Sequence, residues 1–188
     1  MSSPRVRLPP RVLLFRLRAV ALARRGHDHR TRRAPLSIWR LSRLLALSRG
    51  RDRIVELGTA AGWTAYSLAL ANPRARVKTY DLGLRPGRDR YRRLVPASAL
   101  ERVEFVLRRA EDGPEQPTSC DLLLIDADHW HPAVREMFEA WYGSVVPGGL
   151  VVFDDVAPQF PDVAQTISDL GLSGERLGRL FVHRKPAP

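Results

Sequence analysis

Hydrophobic residues fall in two kinds of run along this chain. Short, nearly unbroken runs suit strands buried on both faces. They predict strands near residues 53–57, 76–81, 102–107, 121–126 and 149–154. Between them, apolar residues return every three or four positions, which predicts helices near 63–71, 87–97 and 131–144. Leu122 to Ile125 carries no polar residue and is the clearest buried strand. Strand and helix in alternation imply a parallel sheet with helices on both faces, an α/β doubly wound arrangement. A further helix is predicted over 161–170. The segment RLFVHR at 179–184 reads as a last strand, in a hairpin with residues near 173–177.

Ahead of the first strand the pattern changes. Residues 1–9 contain Pro and Arg and read as a frayed end. From Pro10 to Arg25, Val12, Leu13, Leu14, Leu17, Val20 and Leu22 interleave with arginines, which predicts a basic amphipathic helix. Such a helix can pack as a cap on the domain, or lie on an anionic membrane or acidic partner. A targeting segment is a third reading, although no clean cleavage signal follows. Residues 26–35 (GHDHRTRRAP) read as a polar linker, in which His27 and His29 are solvated. Residues 37–48 form a second amphipathic helix, with Ile38, Leu41, Leu44 and Leu45 on one face. Two parts are expected: 1–35, a basic helix and linker, and 36–188, one domain.

The 188 residues suffice for one domain with a core. A net charge of +11 would suit nucleic acid, but it is unevenly spread. Residues 1–51 hold 14 arginines against one acid, Asp28, while the remainder is close to neutral. That distribution argues against a nucleic-acid partner for the domain. No apolar run approaches the ~20 residues that cross a membrane. The single cysteine, Cys120, excludes an internal disulfide and fits a reducing compartment, so a cytoplasmic protein is expected.

Candidate chemistry gathers at the strand ends. IVELGTAAGWT, from Ile54 to Thr64, reads as a strand, a glycine turn and the start of a helix. Gly58 and Gly62 bracket small residues, which lets a ligand approach the backbone; close packing alone would also favour them. Asp81 ends the second strand about 20 residues on, where an acid accepts hydrogen bonds from ribose hydroxyls in nucleoside-binding folds. Asp126 ends DLLLID, and Asp154 and Asp155 end GLVVFDD. In a parallel sheet these ends share one rim. Asp126, Asp154 and Asp155 could then converge on a hard cation such as Mg²⁺, which prefers oxygen ligands. Capping of the next helix or turn is the plainer reading of those acids. His129 follows Asp126 closely enough to take a proton from a bound hydroxyl. His131, beside Pro132, reads as helix entry.

Taken in order, ELGTAAG at 56–62, IDADH at 125–129 and PGGLVVFDD at 147–155 resemble the class I S-adenosylmethionine-dependent methyltransferases. The subgroup they resemble is the metal-dependent O-methyltransferases of the catechol and caffeoyl-CoA types, with their small bacterial relatives. The resemblance covers about residues 36–185. It implies a Rossmann-like, mostly parallel seven-stranded sheet with an antiparallel last strand and N-terminal helices. Glu56, Gly58 and Gly62 would border the methionine part of S-adenosylmethionine. Thr64 would meet its carboxylate at a helix N-terminus. Asp81 would hold the ribose, with Ala110 and Glu111 beside the adenine. Asp126, Asp154 and Asp155 match metal-ligand positions, and His129 and Asp126 would serve catalysis.

The implied reaction is Mg²⁺-dependent methylation of a hydroxyl on a small molecule, a natural product or saccharide. Two positions depart from the pattern: Asp155 stands where Asn is common, and Arg108 where Gly is common. An RNA methyltransferase using the basic N-terminus, and a non-catalytic binding module of the same fold, are competing readings. The acceptor, the oligomeric state and any partner of the first helix stay open.

Overall fold

The computed structural model describes residues 7–29, 31, 36–83, 85 and 87–187. Most of the predicted frayed end, and linker positions 30 and 32–35, lie outside them. Seven strands form one sheet: β1 (Arg53–Leu57), β2 (Arg76–Asp81), β3 (Val103–Leu107), β4 (Cys120–Ile125), β5 (Val145–Phe153), β6 (Glu175–Leu177) and β7 (Leu180–Arg184). Their order is β3-β2-β1-β4-β5-β7-β6. The first five are parallel; β7 runs antiparallel to β5, and β6 to β7. The helices are α1 (Pro10–Arg25), α2 (Ile38–Leu47), α3 (Trp63–Ala71), α4 (Arg88–Arg92), α5 (Ala97–Leu100), α6 (His131–Tyr142) and α7 (Pro161–Asp169). This is the α/β, doubly wound arrangement that the alternation implies.

The central strands are apolar because both of their faces are covered. Ile54, Leu122 and Leu124 enter one core with α1, α2 and α3. Val55, Leu57, Leu123 and Ile125 enter the other with α6 and α7. Every residue of α3 from Trp63 to Leu70 is buried, as befits a helix that is apolar all round. It lies under α1, whose Phe15 ring meets Trp63 and Tyr66 edge-on at 6.4 and 5.8 Å.

The first helix is therefore a packed cap, with Leu22 partly buried against the core but three other leucines turned outward. Val12, Phe15, Ala19 and Ala23 form the buried stripe, whereas Leu13, Leu14 and Leu17 are 43, 49 and 61% exposed. The segment after α1 is tied down as well. Asp28 accepts hydrogen bonds from the Thr31 N–H at 3.0 Å and the Tyr91 hydroxyl at 2.7 Å.

Three further expectations are corrected. The helix predicted over 87–97 is broken into α4 and α5, because Pro96 disfavours helical backbone at Val95. The Pro147-Gly148-Gly149 segment lies within β5 rather than ahead of it. Val145 pairs with Cys120 and Leu150 with Leu122, so the extra residues are absorbed in a bulge. Ile38 faces solvent, and α2 buries Leu41, Leu44 and Leu45. Among the described residues no helix is long and apolar enough to cross a membrane.

Candidate active site

Strand register sets the site. Tyr80, Leu57, Ile125 and Phe153 are partners across β2, β1, β4 and β5. The residues that follow them, Asp81, Gly58, Asp126 and Asp154, therefore share one row along the C-terminal rim. Backbone bonds extend the pairing into that row: Gly58 N–H to the Tyr80 carbonyl, Asp126 N–H to Leu57 and Asp154 N–H to Ile125, at 2.9, 2.9 and 3.0 Å. Ligands of open α/β sheets lie just beyond such a rim.

Two adjoining cavities open there, of about 460 and 350 Å³. Gly58, Ala60, Asp126 and His129 line both. The smaller also takes in Asp81, Ala110 and Glu111. The larger takes in Thr64, Arg40, Asp154, Asp155 and Phe160. One Asp81 oxygen accepts the Ala60 N–H at 2.8 Å. Among the described residues its other oxygen accepts no hydrogen bond. Ala60 has φ +46, rare for a residue with a Cβ, and backbone strain of this kind gathers at ligand sites.

Glu56 and Gly62 sit behind the cavity walls rather than in them. Glu56 is 1% exposed. One of its oxygens accepts the Thr79 hydroxyl at 2.5 Å, and Oε1 is buried with no partner. Burial, reinforced by the negative charge of Asp81, pushes the Glu56 carboxyl up to about 8. An unpaired, buried carboxyl oxygen beneath the glycine turn costs free energy, and a proton on the carboxyl reduces that cost. Gly62 is not among the residues lining either cavity, although its neighbours Ala61 and Trp63 are. Its absent side chain points at the Phe105 and Tyr66 rings, 3.1 Å away, and with φ +78 it caps the start of α3.

The acid cluster is neutralised from an unexpected quarter. A single nitrogen of Arg40, on α2, lies 2.5 Å from Asp154 Oδ2 and 2.8 Å from Asp155 Oδ1. Arg179, in the β6–β7 turn, donates to the same Asp155 oxygen. His129 Nε2 lies 2.9 Å from Asp155 Oδ2, and its ring stacks on Phe160 at 4.1 Å. An ionised carboxylate only accepts, so Nε2 donates and Nδ1 is left as an acceptor.

The environments push the three carboxyls apart. Burial opposes ionisation of Asp155, but the His129 hydrogen bond and the charges of Arg40 and Arg179 outweigh it and hold the carboxyl below its ordinary value. Burial, with the charges of Asp154, Glu56 and Asp155, holds Asp126 well above. Asp154 is also raised, by burial, against the pull of Arg40.

Asp126, His129 and Asp155 do offer donor atoms within 4.8 Å of one another. Even so, the arrangement does not fit Mg²⁺. Arg40 already bridges Asp154 and Asp155, and Arg179 adds a second guanidinium. A dication would have to displace both or meet their repulsion. Two of the three acids expected to converge on a metal, Asp154 and Asp155, converge on arginine instead. Neither arginine belongs to a motif. One signal was available for Arg40: it lies four residues before Leu44, on the inward stripe of α2.

A profile of the methyltransferase-domain family matches residues 55–156. The chain belongs to this family. Its fold is that of the class I S-adenosylmethionine-dependent methyltransferases. A Klebsiella pneumoniae protein provisionally called an O-methyltransferase superposes with a TM-score of 0.70 at 18% identity, covering 98% of this chain and 93% of that one. The SAH-bound methyltransferase PaMTH1 of Podospora anserina gives 0.66 at 15% identity, covering 96% and 89%. The ubiquinone/menaquinone biosynthesis C-methyltransferase UbiE of Syntrophotalea carbinolica is 32% identical over 130 residues, 67% of this chain and 54% of that protein. This methyltransferase domain thus spans about half the length of that curated relative. Proteins named for O- and for C-methylation both stand among the similar ones, so likeness alone does not set the acceptor atom.

Proposed function

We propose that this protein transfers a methyl group from S-adenosylmethionine to a hydroxyl oxygen of a small molecule. The observation that carries the reading is that His129, in the wall shared by the two cavities, is paired with Asp155 of the larger one. A hydroxyl is a weak nucleophile and needs a base. An imidazole oriented by an ionised carboxylate supplies one near neutral pH.

In this reading Asp81 holds the ribose, and Thr64 in the wall of the larger cavity meets the amino-acid end of the donor, with Glu56 buried behind that wall. When bound, the donor supplies a methyl group on a positively charged sulfur. His129 Nδ1 takes the hydroxyl proton as the acceptor oxygen bonds to the methyl carbon. The carbon–sulfur bond breaks and its electron pair stays on sulfur. Phe160 fixes the imidazole plane. Asp126 keeps its proton to higher pH than an ordinary carboxyl and can donate a hydrogen bond to the acceptor. Holding the reactants in line supplies much of the acceleration. Mg²⁺ has no part in this reading, because two guanidiniums hold two of its three expected ligands, Asp154 and Asp155.

The test is a panel of catechols, phenols and sugars beside amines and carbon acids, each offered with methyl-labelled donor. Label carried by the hydroxyl compounds supports the reading. Label confined to amines or carbon acids overturns it.

A further inference from the structure

We propose that Arg40 is a built-in cation standing where a divalent metal would bind, so that this site orients its acceptor against a guanidinium and works without metal. The catalytic half of this inference rests on the methyltransferase reading above; the electrostatic half does not.

Three observations carry it. The first is position. One Arg40 nitrogen contacts both Asp154 and Asp155, the bridging place that an ion shared by two acids would take. The second is need. The Asp154 side chain is only 1% exposed and its Oδ1 is buried without a partner, so water does not neutralise it and the counter-charge has to come from inside the fold. The third is support. Ser37 Oγ accepts the Arg40 N–H at the start of α2. The neighbouring Trp39 ring packs on Gly178 and under the Arg43 guanidinium. Gly178 in turn precedes Arg179, which brings the second guanidinium to Asp155. Helix α2 and the β6–β7 turn thus close on the acids together.

A guanidinium also has donors to spare. Among the described residues only one Arg40 nitrogen of the side chain is engaged, and the residue lines the larger cavity. Its remaining N–H groups can meet an acceptor oxygen in fixed planar geometry, which a hydrated metal does not impose. The acceptor class that fits is a molecule with an oxygen next to the reacting hydroxyl.

The test titrates Mn²⁺, followed by its electron paramagnetic resonance, into the wild-type protein and into Arg40→Met and Arg40→Lys. Wild type and Arg40→Lys are expected to leave Mn²⁺ free, and Arg40→Met to bind it. Methyl transfer by the wild type is expected to continue in excess chelator. In Arg40→Met it is expected to fall about tenfold or more, as for loss of a charged hydrogen bond, with partial recovery on adding Mg²⁺. Stoichiometric Mn²⁺ binding by the wild type, or chelator-sensitive transfer, overturns the proposal. So does full chelator-resistant activity in Arg40→Met. If Arg40→Met does not fold, the wild-type and Arg40→Lys titrations still decide. Failure to bind S-adenosylhomocysteine would remove the methyltransferase reading while leaving the Mn²⁺ comparison intact.

Discussion

A Cβ on Gly58 would stand 2.0 Å from the backbone carbonyl oxygen of Asp126. The two strand ends touch backbone to backbone, and that contact holds the nucleoside side of the rim against the acid side. Gly58 also has φ +102, which a residue with a side chain rarely adopts. Gly58→Ala is therefore expected to destabilise the fold by about 2–4 kcal/mol, combining overpacking with backbone strain. Urea denaturation measures it. A change near zero would mean that the rim yields freely.

Glu56 gives a pH signature. Its carboxyl ionises near 4.5 in the unfolded chain and at about 8 in the fold. The folded value is raised, so the unfolded chain releases this proton first as pH climbs. The stability contribution is complete below 4.5 and is lost progressively up to 8, at a slope of at most about 1.4 kcal/mol per pH unit. Glu56→Gln is expected to flatten stability across that window in ligand-free protein. Denaturation midpoints at several pH values check this. Parallel curves for the two proteins would contradict it.

His129→Ala is expected to lower turnover by about 10²–10⁴-fold, the usual worth of a general base. Donor affinity should fall less than turnover, because the ring's polar partner is Asp155 and it only lines the wall of the smaller cavity. Kinetics beside calorimetry separate the two effects. Equal losses in both would point to collapse of the shared wall.

Phe15→Ala removes the side chain that joins the cap helix to Trp63 and Tyr66. A loss of about 3–5 kcal/mol is expected, as for a buried aromatic. Thermal and urea melts measure it. A loss within ~0.5 kcal/mol would show that α1 is not part of the core.

The strand ends were legible because each rests on a local pattern. An unbroken apolar run such as Leu122–Ile125 says where the strand stops, and parallel pairing then sends Asp81, Asp126 and Asp154 to one rim. The partners of Arg40 were not legible. Its place on the inward stripe of α2 turns it to the domain, but it lies 114 residues from Asp154 along the chain and nothing local names the acids it meets. Which face of α1 turns inward was also left open by the sequence. Leucine outranks alanine in hydrophobicity, yet close packing on α3 selects Phe15, Ala19 and Ala23 and turns Leu13, Leu14 and Leu17 outward. Gly62 has a packing reason that the sequence did not show, since a side chain there would meet Phe105 and Tyr66. The break at Pro96 could have been read, since proline limits the residue before it.

The central claim is that the row running from Asp81 to Asp154 cradles a nucleoside methyl donor. Calorimetric titration of S-adenosylhomocysteine into wild type and Asp81→Ala tests it most directly. Saturable one-to-one binding by the wild type is expected, weakened about 10- to 100-fold in Asp81→Ala by loss of charged hydrogen bonds to the ribose. No heat with the wild type, or equal affinity in both proteins, would contradict it.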